Sequence, residues 1–304
     1  MDPIAHCLLG ALIGKSFGFQ RRSSLWLAAG LAELPDIDVF SWAIEGAPMA
    51  LVHRAETTHS FAAAIALAVP AGWLFVRRES QSAWRGFAAA VALLCSHVTG
   101  DWLTTYGTPV FWPFDRSNFS LDLVSNLNWL PIILISAGLV FSAFGSRRAI
   151  QAAWLSLALF VLCSGSLRLA ARRQVERAHP ELLFSVFPHI LAPWVFRAVG
   201  EGSDEYQTFV VSPLQGTIES AGVFPKAPPV EPVQASLATA STRLFLKHNR
   251  WPVAKIETAG NGTRRVIWGN LLFSRDGRMI HGRAVAEVDA QGRLLRHWRD
   301  GKLW

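Results

Sequence analysis

Charged residues are scarce in this chain: they make up 17% of 304 residues, against roughly 25% in ordinary globular domains. With 51% hydrophobic residues and a mean hydropathy of +0.27, that scarcity excludes a disordered chain and argues against a soluble domain. Cysteine is scarce too. Cys7, Cys95 and Cys163 all lie in apolar runs without pairing or metal-type spacing, which reads as small buried hydrophobes. No internal repeat, phosphate-cradling glycine loop, serine nucleophile elbow or catalytic cysteine context occurs. The net charge of +7 would suit a nucleic-acid binder, but no helix-turn-helix, RNP or zinc-finger pattern accompanies it, so no nucleic-acid partner is expected.

Long apolar runs, by contrast, are plentiful. They cover about 4–19, 25–34, 59–76, 86–103, 127–145 and 149–170. A helix needs about 20 apolar residues to cross the hydrocarbon layer, so the last four are candidate spans and the first two are short. Gly10 and Gly14 would let another helix approach the first one closely. Asp2 takes the place of the positive start of a signal peptide and no small-residue cleavage site follows, so the first helix is expected to be retained. Residues 1–170 carry 11 basic and 10 acidic side chains and residues 171–304 carry 18 and 12. The excess of base therefore belongs to the second part.

Arginines mark the loops. Arg21 and Arg22, then Arg77, Arg78 and Arg85, then Arg147 and Arg148 fall on one side of a six-crossing arrangement, which the positive-inside bias places in the cytoplasm. The opposite, periplasmic side then receives the N-terminus, the 35–58 and 104–126 loops and the C-terminal region.

Ionisable groups at membrane depth are costly and usually functional, and here they converge on that opposite side. His6 lies near the outer end of helix 1, and Pro35-Asp36-Ile37-Asp38 closes helix 2. His53-Arg54 and Thr58-His59-Ser60 lead into helix 3. His97 and Asp101, four apart, share a face near the end of helix 4. Imidazole nitrogen and carboxylate oxygen are the ligands of zinc, manganese or iron in hydrolytic sites. His6, Asp36, Asp38, His53, His59, His97 and Asp101 are therefore the candidate ligands of one or two divalent cations, zinc foremost. The seven exceed the roughly three protein ligands of one catalytic zinc, which points to two ions or to carboxylates orienting the imidazoles. Arg54 could stabilise developing negative charge.

These motifs, with Ser96-His97-Val98-Thr99-Gly100-Asp101, Thr105-Tyr106-Gly107 and Trp112-Pro113-Phe114, resemble the YdjM-like family of inner-membrane proteins, to which metal-dependent hydrolase activity is ascribed from such motifs. The resemblance covers roughly the first 115 to 130 residues. It implies an integral inner-membrane protein hydrolysing its substrate with a metal held by the seven residues above. Ala55-Glu56-Thr57 stands where many members read Gly-Ile.

Residues 171–203 are expected to connect the two parts. Leu182 to Val199, with Pro188, His189, Pro193 and Trp194, reads as an interfacial segment or membrane-lying helix. From about 204 to 304, alternating runs at 208–211, 253–257, 265–268, 284–288 and 294–298, separated by turn signals, predict a small antiparallel β-rich domain. A Pro-rich linker at 225–232 and a helix near 235–248 interrupt it. The fold expected is thus an α-helical integral membrane domain of about six helices followed by that β domain. Hydrolysis of an ester or phosphoester in a lipid-like substrate at the outer membrane surface is the leading function, with membrane lipid as partner and protein partners unassigned. Two competitors stand beside it. A metal or proton transporter would need polar residues along helices 3–6 to the far side. A non-catalytic anchor would only present the β domain.

Overall fold

A computed structural model describes residues 1–41, 57–79, 82–259, 262–275, 278–279 and 283–300. The N-terminal part is helical and the C-terminal part is built of sheets. Among the described residues the helices are α1 (Pro3–Ser16), α2 (Arg22–Ala32), a 3-10 segment (Leu34–Ser41), α3 (Phe61–Glu79), α4 (Ala83–Trp102), α5 (Trp129–Ala143) and α6 (Arg147–Ala178). The chain divides into two compact units, the first holding these helices up to residue 171 with Phe187–Phe196, the second Arg172–Val186 and the elements after Arg197.

Local chemistry sets the helix ends. Asp2 caps α1 by accepting from the Ala5 amide at 3.0 Å, with Pro3 at the first helical position, where its missing N–H is harmless. Asn128 caps α5 in the same way through the Leu130 amide. α2 stops at Ala32, just before Pro35, and the chain tightens into the 3-10 turns that carry Asp36 and Asp38.

Close approach of backbones fixes the pairing of helices. A Cβ at Gly10 would lie 2.6 Å from the Ala28 carbonyl oxygen and 2.7 Å from the Ala32 Cβ, so α1 and α2 meet where the small residues predict. A Cβ at Gly72 would lie 2.8 Å from the Phe87 Cα, and one at Gly86 2.7 Å from the Gly72 carbonyl oxygen, which locks α3 against α4. Phe19, Ala64, Ala68, Phe75, Leu93 and Leu94 fill the core between them. Arg85 donates to the Phe17 carbonyl and the Gln20 amide to Glu79, each at 3.5 Å. The α1–α2 connection that leads to Arg21 and Arg22 is thus gathered with the arginine-bearing ends of α3 and α4.

Two helices are long and apolar enough to cross a bilayer, Phe61–Glu79 and Arg148–Ala178, while Trp129–Ala143 is apolar but shorter. The fourth expected span, α4, has 20 residues but ends in polar ones, Ser96 to Asp101. The most apolar windows of α3 and α6 are only 28% and 11% buried, which is not how the core helix of a soluble protein sits. Ile65, Val69 and Trp73 of α3 and Leu155, Leu159 and Leu162 of α6 are all at least half exposed.

The chain differs from expectation after α6. Leu182 to Val199 does not form a membrane-lying helix: it contains β1 (Leu183–Pro188) and most of β2 (Phe196–Glu201). These continue into β3 (Glu205–Ser212) and β4 (Thr217–Pro225) as a sheet in the order β1-β2-β3-β4. The prolines that suggested an interfacial segment stand at the end of β1 and in the connection to β2, where a missing N–H costs no ladder bond. β3 and β4 are antiparallel, with a register shift at Thr208/Phe209 opposite Gly222, whose φ is +150°.

The helical stretch is split into α7 (Glu231–Leu237) and α8 (Ala240–His248), the latter capped by Thr239. A second sheet of order β10-β9-β6-β5 follows, from β5 (Pro252–Thr258), β6 (Arg264–Asn270), β9 (Arg283–Val288) and β10 (Leu294–Asp300); β7 (Ser274–Arg275) and β8 (Arg278–Met279) pair apart from it. Val233 and Phe245 of the two helices pack on Val266, Trp268 and Ala284. The Trp268 indole N–H donates to Ser236 Oγ at 2.9 Å. Hydrogen bonds from Arg296 and Arg265 hold the Glu287 carboxyl below the usual carboxylate range.

Candidate metal centre

The site stands at the ends of α1–α4 opposite the arginines. α2 leads to Asp36 and Asp38, the start of α3 to His59, the last turn of α4 to His97 and Asp101, and the first turn of α1 to His6. Spacing on α4 puts His97 and Asp101 on one face. Only the tertiary fold brings the other elements to them.

Four atoms converge. Asp36, His59, His97 and Asp101 each offer one ligand atom, all within 4.8 Å of one another. His59 Nε2 lies 2.9 Å from Asp36 Oδ1 and 3.5 Å from Asp101 Oδ2. His97 Nε2 lies 3.3 Å from His59 Nε2, 3.3 Å from Asp36 Oδ1 and 3.6 Å from Asp101 Oδ2. Ligands held tetrahedrally at about 2.0–2.1 Å from one ion stand about 3.3 Å from each other. These five separations of 2.9 to 3.6 Å bracket that edge.

The far sides of the imidazoles are fixed as well. His97 Nδ1 is 2.6 Å from the Ala32 carbonyl oxygen, so it carries the ring proton and leaves Nε2 with a lone pair. His59 Nδ1 meets Thr58 Oγ1 at 3.0 Å and Asp38 Oδ2 at 3.1 Å, while the Thr58 hydroxyl donates to Asp38 Oδ2 at 2.9 Å. Nε2 of His59 is therefore also turned toward the centre as an acceptor. Two facing lone pairs and two carboxylates form a donor set that a cation satisfies. A group of two aspartates and two histidines that could hold a metal ion is thus in place.

His6 and Asp38 flank this centre. His6 stacks on His97 with ring centroids 3.9 Å apart, and its Nε2 lies 3.3 Å from Asp101 Oδ1. The N-terminal amine also contacts Asp101 Oδ1. Asp38 sits on the Nδ1 side of His59, away from the four atoms. His53 and Arg54 lie outside the described residues. His6, His59, His97 and Asp101 are fully buried. The Asp36 side chain keeps 17% exposure, so solvent approaches the cluster from its side.

Three partners escape a reading of the sequence as candidate ligands. Thr58 was legible as part of a motif, but its contacts with both His59 and Asp38 depend on the turn before α3. The Ala32 carbonyl carries no side-chain signal at all. Glu33, the C-cap of α2, is partly buried and its carbonyl accepts from the Asp36 amide at 3.0 Å, and its place at a helix end gave no hint of that.

No curated protein and no solved structure matches the chain. The family model described as YdjM inner membrane protein matches residues 1–175, a stretch that contains α1–α5, most of α6 and every residue of the cluster. With more than half of its 304 residues matched, the chain belongs to the YdjM inner membrane protein family.

Proposed function

We propose that this protein is a membrane-bound, metal-dependent hydrolase that cleaves an ester or phosphoester in a lipid-like substrate. The carrying observation is the convergence of two imidazole Nε2 atoms and two carboxylate oxygens at ligand-to-ligand spacing. Asp36, His59, His97 and Asp101 hold one divalent cation, zinc foremost, with His6 and Asp38 near enough to orient them or to serve a second ion. When bound, such a cation polarises the scissile group and lowers the pKa of water from about 15.7 toward about 7. Ala32, Thr58 and Asp38 keep both imidazoles in the binding tautomer, and the two aspartates balance a double positive charge. Hydrolysis needs a position that water can take. Asp36 is the candidate ligand that solvent reaches, so water would approach a bound ion from its side. Arg54 is assigned to developing negative charge at the substrate.

Transport is disfavoured by the helices themselves. Beyond the cluster, the buried faces of α3 and α4 are formed by Ala64, Ala68, Phe75, Ala90, Leu93 and Leu94, which offer no relay toward the arginine ends.

Elemental analysis of detergent-purified protein is expected to find at least one equivalent of a divalent metal. Chelation should remove it together with esterase or phosphoesterase activity, and re-addition should restore both. Protein that is metal-free when purified and takes up none from a zinc or manganese solution would exclude the mechanism.

The arginine bias supports an inner-membrane protein with the cluster and the C-terminal sheets on the periplasmic side. A reporter enzyme active only in the periplasm, fused after Trp304, is expected to be active. Activity of a cytoplasm-only reporter at that position reverses the placement of the sheets.

A further inference from the structure

Residues 108–119 form a hairpin that the metal centre does not use. Thr108 and Phe119 exchange backbone hydrogen bonds of 3.0 and 2.9 Å at its base, and Gly107, at φ +87°, turns the chain into it. The Phe61 amide donates to the Val110 carbonyl at 3.1 Å, so the hairpin is tied to the first residue of α3, two positions after His59. At its tip Phe114 is 93% exposed and Phe111 43%. An aromatic fully presented to solvent next to a buried polar centre calls for a partner.

The surroundings identify that partner. Phe61, Trp102, Phe111 and Phe119 form a chain of edge-to-face contacts with centroid separations of 6.1, 5.8 and 5.1 Å. Phe61 is also the first member of the stripe Phe61, Ile65, Val69, Trp73, which recurs every four residues along α3 and is half exposed or more from Ile65 onward. The hairpin therefore continues the apolar surface of a membrane helix. At the other end of that stripe the Arg77 guanidinium lies 4.0 Å over the Trp73 ring, a pairing suited to a headgroup boundary. From Arg77 to Phe61, sixteen residues at 1.5 Å rise span about 24 Å. The hydrocarbon layer is about 30 Å thick, and the hairpin is tied to the Phe61 end of that stripe.

Its backbone suits the same surroundings. Pro109 and Pro113 have no N–H. The Val110, Trp112, Phe114 and Asp115 amides donate to Thr108, Pro109 and Phe111 carbonyls at 2.9 to 3.2 Å, and the Ser117 amide to Asp115 Oδ1 at 2.7 Å. Few donors would lose water on entering lipid, which is the condition for irregular backbone there. Asp115 and Arg116, both exposed, follow Phe114 directly and stop insertion at the headgroups.

We propose that the 108–119 hairpin dips into the leaflet on the metal-centre side, with Phe111 and Phe114 at the boundary between headgroups and acyl chains. It holds the cluster at the depth of a lipid headgroup. The proposal rests on the membrane-spanning reading above, and the test separates the two.

A bimane label is placed at Phe114→Cys or, as a control in mid-helix, at Val69→Cys, each in full-length Cys163→Ala protein whose own labelling sets the background. Phe114 touches too little for its replacement to disturb the fold. The protein is reconstituted into phosphatidylethanolamine/phosphatidylglycerol vesicles containing doxyl-labelled phosphatidylcholine. At position 114, quenching by 5-doxyl lipid is expected to exceed quenching by aqueous iodide at least about twofold, as for a group about 5–10 Å below the surface. At position 69, 12-doxyl lipid is expected to quench more than 5-doxyl lipid. Iodide quenching at 114 with lipid quenching at 69 overturns the hairpin proposal and leaves the span intact. Iodide quenching at both positions overturns the span and the hairpin together.

Discussion

Replacing His59 by alanine is expected to weaken metal binding about 100-fold or more, because the ring is a ligand and its loss also frees Asp36 and Asp101 from a common partner. Its Nε2 lies 2.9 Å from Asp36 Oδ1, 3.3 Å from His97 Nε2 and 3.5 Å from Asp101 Oδ2. Its other nitrogen, Nδ1, is held by Thr58 and Asp38. Without it, two carboxylates and one imidazole remain, and the carboxylates repel unless a proton replaces the ion. Thr58→Val separates the ligand role from the orienting one. It leaves every ligand atom in place and removes the hydroxyl that contacts both His59 Nδ1 and Asp38, so about a tenfold loss of affinity is expected as their mutual orientation loosens. Competition with a chelator of known affinity, on detergent-purified protein of unchanged elution volume, measures both. Stoichiometric metal in His59→Ala at the wild-type affinity removes His59 from the site.

Gly86→Val is expected to unfold the helix pair that carries the site. A Cβ there would lie 2.7 Å from the Gly72 carbonyl oxygen and 2.6 Å from Val76 Cγ2, and the reciprocal Cβ at Gly72 2.8 Å from the Phe87 Cα. Backbone atoms cannot rotate out of the way as a side-chain end can. Overpacking at such a contact costs about 1–3 kcal/mol for small additions and more for a branched one, out of a total stability of about 5–15 kcal/mol. α3 begins two residues after His59, and α4 bears His97 and Asp101, so a separation of the pair also dismantles the cluster. The measurement is thermal aggregation in detergent alongside metal content, and both should fall. His59→Ala should lose metal and the stability that the bound ion supplies, while its metal-free midpoint should stay well above that of Gly86→Val. A Gly86→Val protein with wild-type midpoint and metal would mean that α3 and α4 are not held by this contact.

Sequence and structure divide the explanation along physical lines. Helices were legible because apolar runs of helical length and glycines at close-contact spacing are local signals; Gly10 meets α2 as its small size predicts. Strands β3, β5, β6, β9 and β10 were legible from alternation, since a half-buried strand must alternate. β1 and β2 were not. Their prolines and Trp194 resemble an interface segment until neighbouring strands supply the hydrogen-bond partners. α4 reads as a span from its apolar first half, yet its polar last turn is buried against α1, α2 and α3 and makes the site.

Residue types and their clustering at one set of helix ends were determined by the sequence alone, because charge patterning assigns ends without any knowledge of packing. Which of those residues face one another was decided by the tertiary structure. The 3-10 turn after α2 points Asp36 to His59 Nε2 and leaves Asp38 at Nδ1, and the Ala32 carbonyl sets the tautomer of His97. These relations join residues 23 to 65 positions apart, or 21 for Asp38, and rest on a main-chain oxygen and the turn of a ring. No spacing in the chain encodes either, and the fold alone places them.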